Sequence, residues 1–308
     1  MVNTFGHNLR NILLQATAVA MLIVATPIHA KAQNFLGSFA PEKPKEQVGQ
    51  KKSSRQAHKV SLPDKPNKID PQGRRQGEWA KKYNNGRYKY TATFKDDKPI
   101  GKVTRFDPQG RKTVVLTYRN TSDTVKVTFY HTNGKVQARG QYVNDRREGF
   151  WRMYAEDGVL VESAIFSNNK LHGKRCFYFS NGNLLSVCTW VDSLREGPYV
   201  KYYPSGAKEI EANFHGDELN GQYKSWGDDG KLTSEGTYRA GVTVGKWHLR
   251  YPDADVEGYI EYDSHGIIIN TDEADSLMIK RYLHYKSNIG KFKDPQDYID
   301  HPEDYLAK

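Results

Sequence analysis

Two cysteines, ten histidines and 36 carboxylates are the groups in this 308-residue chain whose chemistry could define a site. Cys176 and Cys188 flank Gly182 symmetrically. Their spacing is not the Cys-x-x-Cys of a redox or metal site. If Gly182 turns a hairpin, the two cysteines come close to opposite each other, and an oxidising compartment would join them as a disulfide. A one-residue bulge in that turn would instead leave two thiols. His131, His172, His215 and His248 share no ligand spacing, so no metal or cofactor is expected. Asp157, Asp217, Glu218, Asp228 and Asp229 lie in segments that read as turns, where their bonds to nearby backbone explain them before acid–base catalysis does. The chain has no nucleophile elbow, phosphate loop or dinucleotide fingerprint. No catalytic residue is assigned, and the expectation is a protein that is not an enzyme.

The elements that position these groups follow a repeat. Stepping by 24 from Gly77 gives Gly101, Val125, Gly149, Gly173, Gly197, Gly221 and Gly245, all glycine but one. Nine residues after most of these starts comes a second glycine, as in Asp157-Gly158, with Ala254 breaking the last copy. Seventeen residues after the starts lie Phe94, Tyr118, Tyr142, Phe166, Trp190, Phe214, Tyr238 and Tyr262. Eight aromatics in register, in a chain that is 12% aromatic, mark a true period. Position +5 is also aromatic from Phe106 to Trp226, while the first and last copies carry Lys82 and Arg250. End repeats are often atypical in this way.

Glycine twice per period interrupts any helix, whereas Asn/Asp-Gly suits a tight hairpin. Each copy therefore reads as one hairpin: a strand of about six residues from the first glycine, a turn with positive backbone angles, and a strand of about eight. Segments such as "SNNKLHG" turn the chain into the next copy. Eight hairpins give about sixteen strands, an all-β meander running roughly 75 Å. On the second strand, position +15 is small in six copies (Ala92, Gly140, Ala164, Cys188, Ala212 and Gly236), leaving room for a neighbouring ring to lie across the backbone. Position +16 is mostly polar, which suits a solvated second face.

The flanks differ in composition. Residues 1–32 have a basic start ending at Arg10, an apolar stretch from Ile12 to Ile28, and Ala30-Lys31-Ala32 before Gln33, the form of a cleaved signal peptide. The alternative is an uncleaved anchor. Removing Arg10 and Lys31 takes the net charge from +10 to +8. Residues 33–75 hold ten Lys/Arg, four Asp/Glu and five prolines from Pro41 onward, and read as a basic, disordered tether. It is either a spacer or an attachment to an anionic membrane or polymer. After the array, 76–266, comes a tail or cap, 267–308, in which Thr271 starts a helix to about Tyr285 with Leu277, Ile279, Tyr282 and Leu283 as its apolar stripe. That segment would close the open sheet edge or dock a partner.

"GFWRMYAEDGVLVESAIF", "GPYVKYYPSGAKEIEANF" and "GQYKSWGDDGKLTSEGTY" resemble MORN repeats of the variant form found in bacterial proteins. The resemblance covers Gly77 to about Gly266. It implies an elongated antiparallel sheet with a scaffold role, and contacts to membrane lipids, to proteins or to further copies. Three departures stand out: Val125, the turn "YPDADVEGY", and Arg175 where other copies have Trp, Tyr or Val. The ends and the third copy are expected to be irregular. The functional expectation is an exported, periplasmic or envelope-associated binding protein with a protein partner. Alternatives are a lipid-associated module and an enzyme acting on cell-wall polymer. Export argues against nucleic acid as a partner of the basic chain.

Overall fold

The computed structural model describes residues 66–119 and 122–288. The expected signal peptide, the tether up to residue 65 and the last twenty residues lie outside the described residues. Among the described residues the chain forms one antiparallel sheet of 18 strands, followed by the helix Thr271–Asn288. The strands pair in sequence order from Lys68–Ile69 to Val256–Tyr262, an unclosed meander. Eight hairpins supply sixteen strands. The other two arise because Lys68–Ile69 pairs with Arg75–Lys82, and because Glu218–Leu219 and Gly221–Trp226 are two pieces of one strand. The sheet therefore begins inside the segment read as tether.

The hairpin Arg146–Tyr154 and Leu160–Ser167 shows how one copy is built. Its Asp-Gly end is not the two-residue turn with two positive angles that the sequence led us to expect. Gly158 alone has positive φ, at 99°. Its N–H donates to the Ala155 carbonyl at 2.9 Å and the Ala155 N–H donates to the Val159 carbonyl at 2.9 Å, a three-residue loop with a glycine bulge. Asp157 Oδ1 accepts the Val159 N–H at 2.9 Å and fixes the loop. The turns with two positive angles are at the other end, at Asn168-Asn169, Asp96-Asp97, Asn144-Asp145 and Asp192-Ser193. Asn and Asp tolerate that region better than other side chains, so these turns dispense with glycine.

The register glycine lies inside its strand, which starts three residues earlier. Pairing passes from Arg139↔Arg152 to Gln141↔Glu148, so two extra residues bulge out around Gly149, whose φ is 65°. Valine is poorly suited to such an angle, and at Val125 the ladder runs straight through Thr117↔Lys126 and Tyr118↔Val125. The two extra residues then appear between Tyr118↔Val125 and Arg119↔Ser122. In the last copy, the short 3-10 turn Pro252–Ala254 and a left-handed Asp255 replace the missing turn glycine.

These registers create the core. Each glycine of the period pairs with the aromatic of its own hairpin, as Gly77 with Phe94 and Gly149 with Phe166. Two residues along, a large side chain faces a small one: Trp79 and Ala92, Trp151 and Ala164, Tyr199 and Ala212, Tyr223 and Gly236. The large side chain also leans onto the small residue of the preceding hairpin. A Cβ added to Gly140 would collide with the Trp151 indole, and one on Gly236 with that of Trp247. Rings meet edge to face, Trp151 with Tyr142 at 5.2 Å and with Phe166 at 6.2 Å, and Tyr238 with Trp247 at 4.9 Å. Such pairs add about 0.5–1.5 kcal/mol each beyond burial. Trp151, Ala164, Phe166, Phe214 and Trp247 are all buried on this face.

The last strand is covered by the segment that follows it. The Ile269 N–H donates to the Glu261 carbonyl at 2.9 Å, and Asn270 bonds Glu261 N–H and the Tyr259 carbonyl at 2.7 and 3.2 Å. The helix then lies on the ring-bearing face through Ala274, Leu277 and Met278 against Ile260 and Leu249. Of the expected stripe, only Leu277 is inside; Ile279, Tyr282 and Leu283 are exposed.

Because the Trp151 ring occupies the space above Gly140, Gly140→Ala should lower unfolding free energy by about 2 kcal/mol in urea titration. A change under about 0.5 kcal/mol would show that the ring does not depend on that gap.

Candidate interaction surfaces

The row of large apolar side chains, Trp, Tyr or Val in the other copies, is interrupted once. At Arg175 the guanidinium takes the place of the large apolar side chain, paired with Ala164 on one side and Cys188 on the other. Arg175 Nε donates to Glu162 Oε1 at 2.8 Å, and both side chains are only 12% and 11% exposed. The guanidinium also lies over Phe177 at 4.7 Å and Trp190 at 5.5 Å. The sequence singled out Arg175 as a departure but gave no partner. Glu162 sits thirteen residues before it, on the previous hairpin, and only the register reveals the pair.

Of the two alternatives left open for Cys176 and Cys188, a disulfide or two thiols, the structure has two thiols. Cys176 pairs with Val187, while Cys188 pairs with Arg175, so the two thiols are on opposite faces and both are free. The cause is the extra residue Leu185 on the partner strand, opposite the step from Phe177 to Tyr178, which shifts the pairing by one. Burial pushes the Cys188 thiol up to about 11, keeping it protonated.

A second recurring device sits at the turn edge. Arg75, Arg147 and Arg195 each lie over the aromatic of their hairpin, Phe94, Phe166 and Phe214, at 4.0, 4.1 and 4.0 Å. The same arginines bond the second residue of the next turn: Arg195 N–H and Nε donate to Asp217 Oδ1 at 2.8 and 2.9 Å. Burial raises the Asp217 value, but the Arg195 hydrogen bonds and charge outweigh it and hold this carboxyl below the usual range. These contacts are between copies, so they stiffen the array. Beside them, His215 Nδ1 meets Glu196 Oε1 at 2.9 Å on the exposed edge.

The polar face divides into two halves. From Lys208 onward opposite charges pair, Lys208–Glu211 along one strand at 2.8 Å, and Lys224–Glu235 at 3.3 Å and Arg250–Glu257 at 2.8 Å across strands. Earlier in the sheet this face carries Lys102, Lys126, Arg139, Arg152 and Lys174, all exposed. Phe150 stands among them, 46% exposed.

A shallow hollow of about 310 Å³ is lined by Ser234, Glu235, His248, Glu257 and Tyr259. Its carboxylates, Glu235 and Glu257, are tied to Lys224 and Arg250. Among the described residues no three His, Cys, Asp or Glu side chains converge as metal ligands, and no helix is long and apolar enough to cross a membrane.

The family model for the MORN repeat variant matches residues 124–144, 171–192 and 219–240. This is a MORN-repeat protein. The matched segments each cover most of one hairpin, and the intervening hairpins have the same register. No curated protein matches the chain. Among solved structures, the chain is similar to one described as TcdB2-TccC3-Cdc42, at 10% identity and TM-score 0.19, covering 65% of this chain and 14% of that one. It is likewise similar to a Photorhabdus luminescens Tc holotoxin pore structure with a mutated TccC3, at 12% identity and TM-score 0.18, covering 66% and 13%. The MORN-repeat chain thus spans a small part of those chains, and likeness at these scores carries no argument.

Removing Arg175 would strand the Glu162 carboxylate, so Arg175→Ala should cost about 3–5 kcal/mol in urea unfolding. The double change Arg175→Trp with Glu162→Ala, which restores the ladder, should recover wild-type stability or exceed it; a double variant as weak as the single would contradict this.

The edge pair gives a pH effect. The hydrogen bond and charge of Glu196 raise His215 above its ordinary 6.5, and the hydrogen bond to His215 lowers Glu196 below 4.5. The histidine's contribution is therefore complete below about pH 6.5 and is lost as pH rises through the raised value; the glutamate's is complete above 4.5 and is lost as pH falls through the lowered one. In an NMR titration the His215 midpoint should lie above 6.5 and return towards it in Glu196→Gln. Identical midpoints would rule the pairing out.

Proposed function

We propose that this MORN-repeat protein is an exported, non-enzymatic scaffold that presents the polar face of its sheet to another component of the cell envelope. The observation that carries the reading is the division of labour between faces. Rings, small residues and the Arg175–Glu162 pair fill one face and are used up in holding hairpins together. The other face has exposed polar or charged side chains at six of the eight +1 positions, Glu78, Lys102, Lys126, Lys174, Gln222 and Lys246, which packing does not require, with Phe150 and Pro198 at the other two. Binding surfaces distributed along such an array gain from repetition, since many weak contacts act together. Supporting export are the signal-like first 32 residues, and the basic tether after them would keep the sheet near an anionic surface.

The test combines processing with capture. The chain expressed in a bacterial host should be recovered from the envelope with Gln33 as its first residue, by intact mass. A photo-reactive residue at Lys126 should cross-link one envelope component, competed away by unlabelled protein, while one at Ile279 on the exposed helix should not. Full-length protein confined to the cytosol would overturn the export reading, and equal cross-linking from both positions would overturn the face assignment.

A further inference from the structure

The cationic half of the polar face has an arrangement that folding does not explain. Arg139 and Arg152 are direct cross-strand neighbours. Like charges in that position are destabilising. Among the described residues, Lys102, Lys126, Arg139, Arg152 and Lys174 have no carboxylate within ion-pair distance, whereas in the later half of the same face Lys224 and Arg250 pair with Glu235 and Glu257, and Lys246 lies over the Tyr259 ring. The carboxylates on this side are Glu78 at one end and Glu148, which lies across Gln141 from Lys126 and whose Oε2 accepts the Asn168 N–H at 3.0 Å.

The geometry is linear. Lys102 pairs with Thr117, and Thr117 with Lys126, so successive copies place a lysine every two strands, a pitch of about 10 Å. The row from Lys102 to Lys174 crosses six strand spacings, about 29 Å. Where the lysine is missing, at Phe150, the Arg139–Arg152 pair supplies the charge one position inward, and the Arg152 guanidinium lies over the Phe150 ring at 4.5 Å. One row of cations with an aromatic plate in its middle matches a linear polyanion whose backbone has apolar faces. A bilayer surface would instead favour a broad field of charge.

We infer that this row, Lys102, Lys126, Arg139, Arg152 and Lys174 around Phe150, is a binding site for a linear acidic polysaccharide, its carboxylates or sulfates bridging the cations and a sugar ring resting against Phe150. This rests on the binding role proposed above and names the class of component that this half of the polar face meets. The anion offsets the Arg139–Arg152 repulsion, so occupancy and stability are linked. The complex weakens with salt, as contacts between exposed charges do.

The mature chain is titrated by calorimetry with a linear polyuronate, with neutral dextran and with phosphatidylserine vesicles. Binding to the polyuronate alone, or more tightly to it than to the vesicles, is the expected result. The triple variant Lys126→Gln, Arg139→Gln, Arg152→Gln should lose about tenfold in affinity and show a shallower salt dependence. It should unfold at no lower urea concentration than wild type, which separates lost binding from lost fold. The matched variant Lys208→Gln, Lys224→Gln, Lys246→Gln removes the same charge from the other half and should bind as wild type. The inference is overturned by equal losses in both variants, by binding that disappears only when residues 33–65 are deleted, by a preference for vesicles, or by no binding. The export and capture results stand or fall separately, since they do not depend on the polyuronate.

Discussion

The whole sheet depends on one steric fit, a large side chain from one hairpin resting on a backbone that has almost no side chain beneath it. A single antiparallel layer has no second sheet to bury its apolar face against. This chain instead makes the face bury itself, setting Trp or Tyr against Ala or Gly on the neighbouring strands. The two-residue bulge at six register glycines, from Gly101 to Gly245, keeps large and small side chains on the same face from copy to copy. Aromatics opposite those glycines close the sides of each ring. Local contacts of this kind propagate along a repeat without any long-range closure.

Much of this was legible in the residues, because a strict period converts a weak pattern into a strong one. The aromatics seventeen residues on and the small residues at +15 were expected to share a ring-bearing face, as Phe166 and Ala164 do. Turn chemistry was read less well. Asn/Asp-Gly invited a turn with two positive angles, yet that geometry falls at Asn168-Asn169 and its counterparts. The one-residue shift beside Tyr178 also follows from the hairpin loop, and it separates Cys176 from Cys188. Short-range composition does not encode such a shift; it is the outcome of competition between loop closure and strand pairing.

Charge was the least visible property. A net charge of +10 and a tether rich in lysine drew attention to the N-terminal segment. The division of the polar face into a self-paired half and an unpaired cationic half appears only when strand partners are known, because Arg139 and Arg152 are thirteen residues apart in sequence and adjacent in the sheet. The same holds for Glu162 and Arg175 on the ring-bearing face. Family membership accounts for the scaffold and is silent about both. Individuality in this chain lies where copies differ in charge, while what the copies share is mechanical.

The central claim is that each ring and the small residue beneath it act as one unit. A double-mutant cycle between Gly140→Ala and Trp151→Val measures this directly by equilibrium unfolding. If the ring needs the bare backbone, adding a methyl at 140 matters only while the indole is there, and the coupling energy should be about 2 kcal/mol. Effects that add within about 0.3 kcal/mol would mean that ring and glycine stabilise the sheet independently, and would contradict the account.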